Sequence, residues 1–126
     1  GGRGAAFTAG PELPPAQAAH WAEFYLVRCA AHGRKPAAIA IRRDVFVGSS
    51  SEDARAVVDP LFAKGYHGRD TSATAFGDIA DVTRNLSAYA AMGYTDILVR
   101  HITADQSLVL ASLSRLGEVR NAIAAL

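Results

Sequence analysis

The sequence predicts an α/β protein built from parallel βα units, and three observations carry that prediction. Residues 76–103, FGDIADVTRNLSAYAAMGYTDILVRHIT, read as a capped helix, a glycine stop, a short apolar strand and a turn into another helix. An earlier run, IAIRRDVFVG at residues 39–48, favours a strand that Gly48 ends, and a second helical pattern follows it. Within the later strand, Ile97, Leu98 and Val99 are consecutive apolar residues, a run expected where a strand is buried on both faces by helices. A helix lying between two such strands implies right-handed crossovers and a parallel sheet.

Element by element, residues 1–15 (GGRGAAFTAGPELPP) are rich in glycine and proline and read as loop, with Pro14 and Pro15 leading into a helix. Residues 16–32 form that helix, with Ala18, Trp21, Tyr25 and Cys29 as its buried stripe and Gly33 as its stop. In the strand that follows, Arg42, Arg43 and Asp44 interrupt the apolar pattern, so partial exposure or a bulge is expected there. Ser50 with Asp53 three positions later resembles a capping box and starts a helix toward Lys64. Pro60 removes a backbone donor inside it, so a kink or a fresh start near Asp59 is expected.

Residues 65–75 read as a polar loop. Asp78 caps the helix of residues 79–92, with Asp81 at the third position, Val82, Leu86, Tyr89 and Ala90 on one side, and Gly93 closing it. Thr103 and Gln106 are a closer capping-box match, opening a terminal helix through Val109, Leu113, Leu116, Arg120 and Ile123, with Gly117 as its weak point. Two strands alone cannot bury both faces of a sheet. The pattern therefore asks for partner strands, from further sequence or from another copy.

Composition bounds the function. The chain has 126 residues, enough for one domain or part of one over residues 1–126. Half of the residues are apolar and a fifth charged, which argues against wholesale disorder. A formal net charge of +1 gives no nucleic-acid footprint, and the pairs Arg34-Lys35 and Arg42-Arg43 read as solvated surface. No apolar run approaches the roughly 18 residues that suggest a membrane span. Cys29 stands alone and reads as a small buried hydrophobe, so the cytoplasm is the default location. His20, His32 and His67 show no metal-ligand spacing, and no nucleotide-binding, nucleophile-elbow or paired-cysteine motif occurs. No catalytic residue is assigned from the sequence.

Several pieces in order resemble the C-terminal portion of the luciferase-like monooxygenase family. They are GRKPAAIAI (residues 33–41), DVFVG (44–48), SSSEDARAV (49–57), FGDIADV (76–82), AYAAMGYTDILVR (88–100) and the terminal helix. The similarity runs over residues 16–122, and Ile79 stands where the family often has proline. The resemblance implies the last strands of a (β/α)₈ TIM barrel, incomplete in this chain, since a whole barrel takes about 250 residues. It further implies a flavin- (FMN) or F420-dependent oxidoreductase or monooxygenase acting on a small-molecule substrate, and a 126-residue chain that alone turns nothing over. The candidate cofactor-binding residues are Gly1, Gly2 and Arg3, matching a family Gly-Gly pair, with Gly77 and Asp78 at a strand-to-helix boundary and Arg100 at a strand end. The carboxylate of Asp78 would oppose a phosphate at that boundary, and Arg100 could equally pair with a neighbouring carboxylate. His101 closes the same strand and could reach a substrate. The alternative is a non-catalytic fragment or degenerate relative that self-associates as a homo-oligomer.

Overall fold

Among the described residues the chain forms four strands and four α-helices, in the order β1 (Phe7–Ala9), α1 (Pro15–Ala31), β2 (Ile39–Val47), α2 (Ser51–Ala63), β3 (Ala75–Gly77), α3 (Ile79–Met92), β4 (Asp96–His101) and α4 (Gln106–Ala124). A short 3₁₀ turn, Thr71–Ala73, precedes β3. The structure, a computed structural model, describes residues 7–10, 13–34, 38–66 and 71–126, with the backbone alone at 7–9. Gly1, Gly2, Arg3 and His67 lie outside the described residues.

Among the described residues all strand pairs are parallel and all involve β2. β4 takes one edge, running from Ala40↔Asp96 to Val45↔His101. β1 pairs with Ile39–Ile41 and β3 with Val45–Val47, and both registers overlap that of β4 along β2. A strand has only two edges, so β1 and β3 share the other one, end to end. The sheet is thus three lanes wide with β2 central. Beyond β2, no strand among the described residues pairs with β4.

Side chains alternate across a strand, so β2 presents two different faces. Ile39, Ile41, Val45 and Val47 point into a core shared with Ala18 and Ala22 of α1, Val82, Leu86 and Tyr89 of α3, and Val119 of α4. On the opposite face the described residues cover only the C-terminal end, where Phe46 packs with Ala54 and Val58 of α2, and with Ile102. The remainder of that face, from Arg42 to Leu98, is open to solvent.

Several sequence expectations change here. No bulge occurs at Arg42–Asp44, because the β2–β4 register is continuous through them. Arg43 is fully buried rather than a surface cation, donating to the carbonyls of Gly10, Arg42 and Leu13 and lying 4.6 Å over the Tyr89 ring. Such a site suits guanidinium, whose planar fork can meet several carbonyls while its face stacks on an aromatic ring.

α1 buries Ala18, Ala22 and Cys29, whereas Trp21 and Phe24 are exposed and meet edge-to-face with ring centroids 5.7 Å apart. α2 continues through Pro60 as one helix. The two-face burial expected for Ile97–Val99 does not occur: Leu98, on the uncovered face, is 50% exposed, and Val99, on the helix side, is 43% exposed at the sheet's edge. The cap of α4 is Asp105, accepting from Leu108 N, in place of Thr103. Among the described residues no helix is long and apolar enough to cross a membrane.

Candidate functional site

The open face of the sheet carries a charged cluster near the C-terminal ends of its strands, where α/β proteins place their ligands. It is assembled from register. Asp44 of β2 lies beside Arg100 of β4, both pointing to the open face. Arg100 Nε and Nη2 each donate to the Asp44 carboxylate at 3.0 Å, forming a bidentate fork. The Tyr66 hydroxyl also donates to Asp44. Tyr66 holds a φ of 38°, a left-handed conformation that bulky residues rarely adopt. The Asp44 side chain is 3% exposed and that of Arg100 49%, so a buried anion steers a half-solvated cation. Hydrogen bonding and the charge of Asp44 raise the Arg100 pKa still further. Arg42, two positions before Asp44, is exposed on the same face.

His101 points the other way, toward α4. Its Nε2 lies 2.8 Å from the Ser112 hydroxyl, which accepts from Val47 N–H at 2.9 Å. The direction of the His101–Ser112 hydrogen bond follows the imidazole tautomer, because the hydroxyl keeps both its proton and a second lone pair. Burial pushes the His101 pKa below its ordinary value. Ser112 is fully buried, so this pair braces the end of β2 against α4 and presents no nucleophile to solvent.

Gly77 and Asp78 sit at the start of α3 and are fully committed there. Asp78 accepts from Asp81 N at 2.8 Å, and Asp81 returns the contact to Asp78 N at 3.1 Å, completing the capping box. Asp81 also accepts from Ser51 at 2.5 Å and from Arg84 at 2.8 Å, and these hydrogen bonds, led by that of Ser51, lower its pKa. The Gly77 carbonyl accepts from Gly48 N at 2.8 Å. Two carboxylates therefore occupy the helix N-terminus that an incoming phosphate would need, and the site does not fit that group. A polar cleft of about 460 Å³ beside it is lined by Arg55, Thr74 and Asn85, among others.

Of the six cofactor-binding candidates, Gly77 and Asp78 lie together, Arg100 lies on the open face, and Gly1, Gly2 and Arg3 are outside the described residues. Sequence reasoning missed Asp44, Tyr66 and Ser112. Asp44 carried a signal, as an acidic residue inside an apolar strand run. Tyr66 and Ser112 carried none, because their roles depend on contacts 22 and 65 residues away. No group of three or more potential metal ligands occurs among the described residues. No family model matches the chain, and no curated protein is significantly similar to it.

Proposed function

We propose that the chain supplies the final strands and helices of a (β/α)₈ barrel of the luciferase-like type, an oxidoreductase or monooxygenase that uses FMN or F420. One observation carries this reading. β1, β2 and β4 are parallel and lie side by side in the sheet, with α1, α3 and α4 packed on one face and the Asp44–Arg100–Tyr66 cluster on the other, beside the end that α2 covers. A parallel sheet with helices on one side and charged side chains on the other would suit a barrel wall, whose outer side meets helices. The bound cofactor would supply the redox chemistry, and the chain's part would be to shape one wall of the pocket and exclude water. Because the start of α3 rejects a phosphate, the anchoring groups belong elsewhere in the barrel.

The test is fluorescence titration of FMN and of F420 against the 126-residue chain, and against a form that adds the remaining strands. The reading expects binding only in the completed form. A completed barrel with affinity for neither chromophore would remove it.

A second reading, a non-catalytic relative that self-associates, is favoured by the open edge of β4. Its sequence DILVR is complementary to itself when paired antiparallel about Leu98, which sets Asp96 against Arg100 of a second copy. A Leu98→Cys variant then crosslinks under mild oxidation. Val99→Cys does not, because its own copy lies diagonally beyond disulfide reach. Monomeric mass and no crosslinking in either variant would exclude it.

A further inference from the structure

We infer that the apolar groove between β4 and α4 is where a second copy of this chain docks, closing the groove as its own β4 pairs antiparallel with the free edge about Leu98. This rests on the self-association reading and not on the oxidoreductase one. The phase of the backbone hydrogen bonds supports it. Ile102 N donates to the Val45 carbonyl at 3.0 Å on the β4 side of β2, while Gly48 N donates to the Gly77 carbonyl at 2.8 Å on the other side. Odd-numbered residues of β2 thus bond toward β4 and even-numbered ones toward β3. In a parallel ladder each such residue bonds to the two neighbours of its partner, here Asp96, Leu98 and Arg100. Ile97 and Val99 therefore turn their N–H and C=O groups to the free edge, where no strand among the described residues meets them.

Antiparallel pairing joins residues whose amide and carbonyl both face outward, so odd positions must meet odd positions. Centring on Leu98 does this. Ile97 exchanges both hydrogen bonds with Val99 of the second copy, and Val99 does so with its Ile97. The same register sets Asp96 against Arg100 twice. The next permitted register in either direction sets Asp96 or Arg100 against Leu98 and forfeits both charge pairs. Edges that stay unpaired usually carry lysine or proline, and residues 97–99 have neither.

The side chains agree with the backbone. Ile97 and Val99 line a mostly apolar groove of about 560 Å³ with Leu113, Leu116 and Ile123 of α4. Val99 is 43% exposed and Leu113 48%. A two-fold axis perpendicular to the sheet keeps both helix layers on one side, so Val99 of the second copy arrives beside Ile97. The two grooves then meet across the new ladder as one apolar layer, and Leu98 meets Leu98 on the opposite face.

Native mass spectrometry of the 126-residue chain over a concentration series tests the occupant, and a species of twice the chain's mass should grow with concentration. Leu113→Gln, in the groove wall, should raise the dimer dissociation constant at least about tenfold with an unchanged circular dichroism spectrum, because each dimer carries the change twice. Leu110→Gln, 59% exposed on α4 but outside the groove, should leave that constant as it is. Dimers that crosslink through Leu98→Cys yet respond alike to both substitutions would keep the self-association reading and overturn the groove. Dimers in which Leu98→Cys does not crosslink, or masses that climb past the dimer, would overturn the pairing. A monomer at every concentration would remove both ideas, and a monomer carrying a small-molecule adduct would give the groove to a ligand instead.

Discussion

The hydroxyl of Ser112 in α4 accepts a hydrogen bond from the last backbone amide of β2, Val47 N, at 2.9 Å. An amide in that position would otherwise be buried with no acceptor, because Val47 is fully buried. Ser112→Ala should therefore destabilise the fold by about 1–3 kcal/mol, the usual cost of an orphaned buried donor. Urea denaturation followed by circular dichroism reads the change. A loss below about 0.5 kcal/mol would mean that water reaches the amide.

The same hydroxyl meets His101, and this gives a pH dependence of definite sign. Burial lowers the His101 pKa, so the folded state favours the neutral ring more than the unfolded state does. In that window the unfolded chain binds more protons, and stability rises with pH. The contribution is complete above the ordinary histidine value of 6.5 and is lost as pH falls below it toward the folded-state pKa. Melting temperatures measured from pH 7.5 to 5 should decline, and His101→Gln should flatten that decline.

Breaking the open-face cluster should be asymmetric. Arg100→Ala strands a nearly buried carboxylate, whereas Asp44→Asn leaves a cation that is already half in water. The expected losses are about 2–3 kcal/mol for the first and about 1 kcal/mol for the second, discounted from fully buried pairs because Arg100 is solvated. Tyr66→Phe removes one hydrogen bond and should cost about 1 kcal/mol. Equal losses for Arg100→Ala and Asp44→Asn would show that Asp44 is better solvated than its burial indicates.

Gly77 combines a φ of 144° with a near neighbour, since an added Cβ would come within 2.4 Å of the Asp81 side chain. Gly77→Ala should displace Asp81, break the capping box of α3 and cost about 1–3 kcal/mol. Asp81→Asn, which keeps the shape but weakens the cap, should cost less. Chemical denaturation of the two variants side by side gives the comparison.

Local signals in the sequence located the helices well. Pro15, Ser50, Asp78 and Gly93 act through neighbours within a few residues, and each bounds a helix as its chemistry dictates. Boundaries failed where local cues competed. Thr103 fits a capping box, yet Asp105 caps α4 while the Thr103 hydroxyl accepts from Asp105 N. The short strands β1 and β3 each have only three residues, too few for an alternating pattern to emerge, and exist through pairing with β2. Arg43 and Asp44 looked like an exposed charged break because no sequence period encodes an aromatic ring from α3 or a guanidinium from β4. The site was legible only through Arg100; its carboxylate partner and tyrosine depend on tertiary contacts.

Thr95 ties the start of β4 to Ile39, donating from its backbone to the Ile39 carbonyl at 2.8 Å while its hydroxyl accepts from Ile39 N at 3.0 Å, across 56 residues. During synthesis, at about 5–20 residues per second, β2 therefore emerges several seconds before the strand that completes its edge. Through that interval its unpaired backbone N–H and C=O groups are exposed to every other nascent segment nearby. The helices that arrive in between can shield one face of β2 but cannot pair that edge, so a pause or truncation before residue 96 leaves the chain with its central strand open. Yield of folded protein should accordingly depend on how quickly the last 31 residues follow.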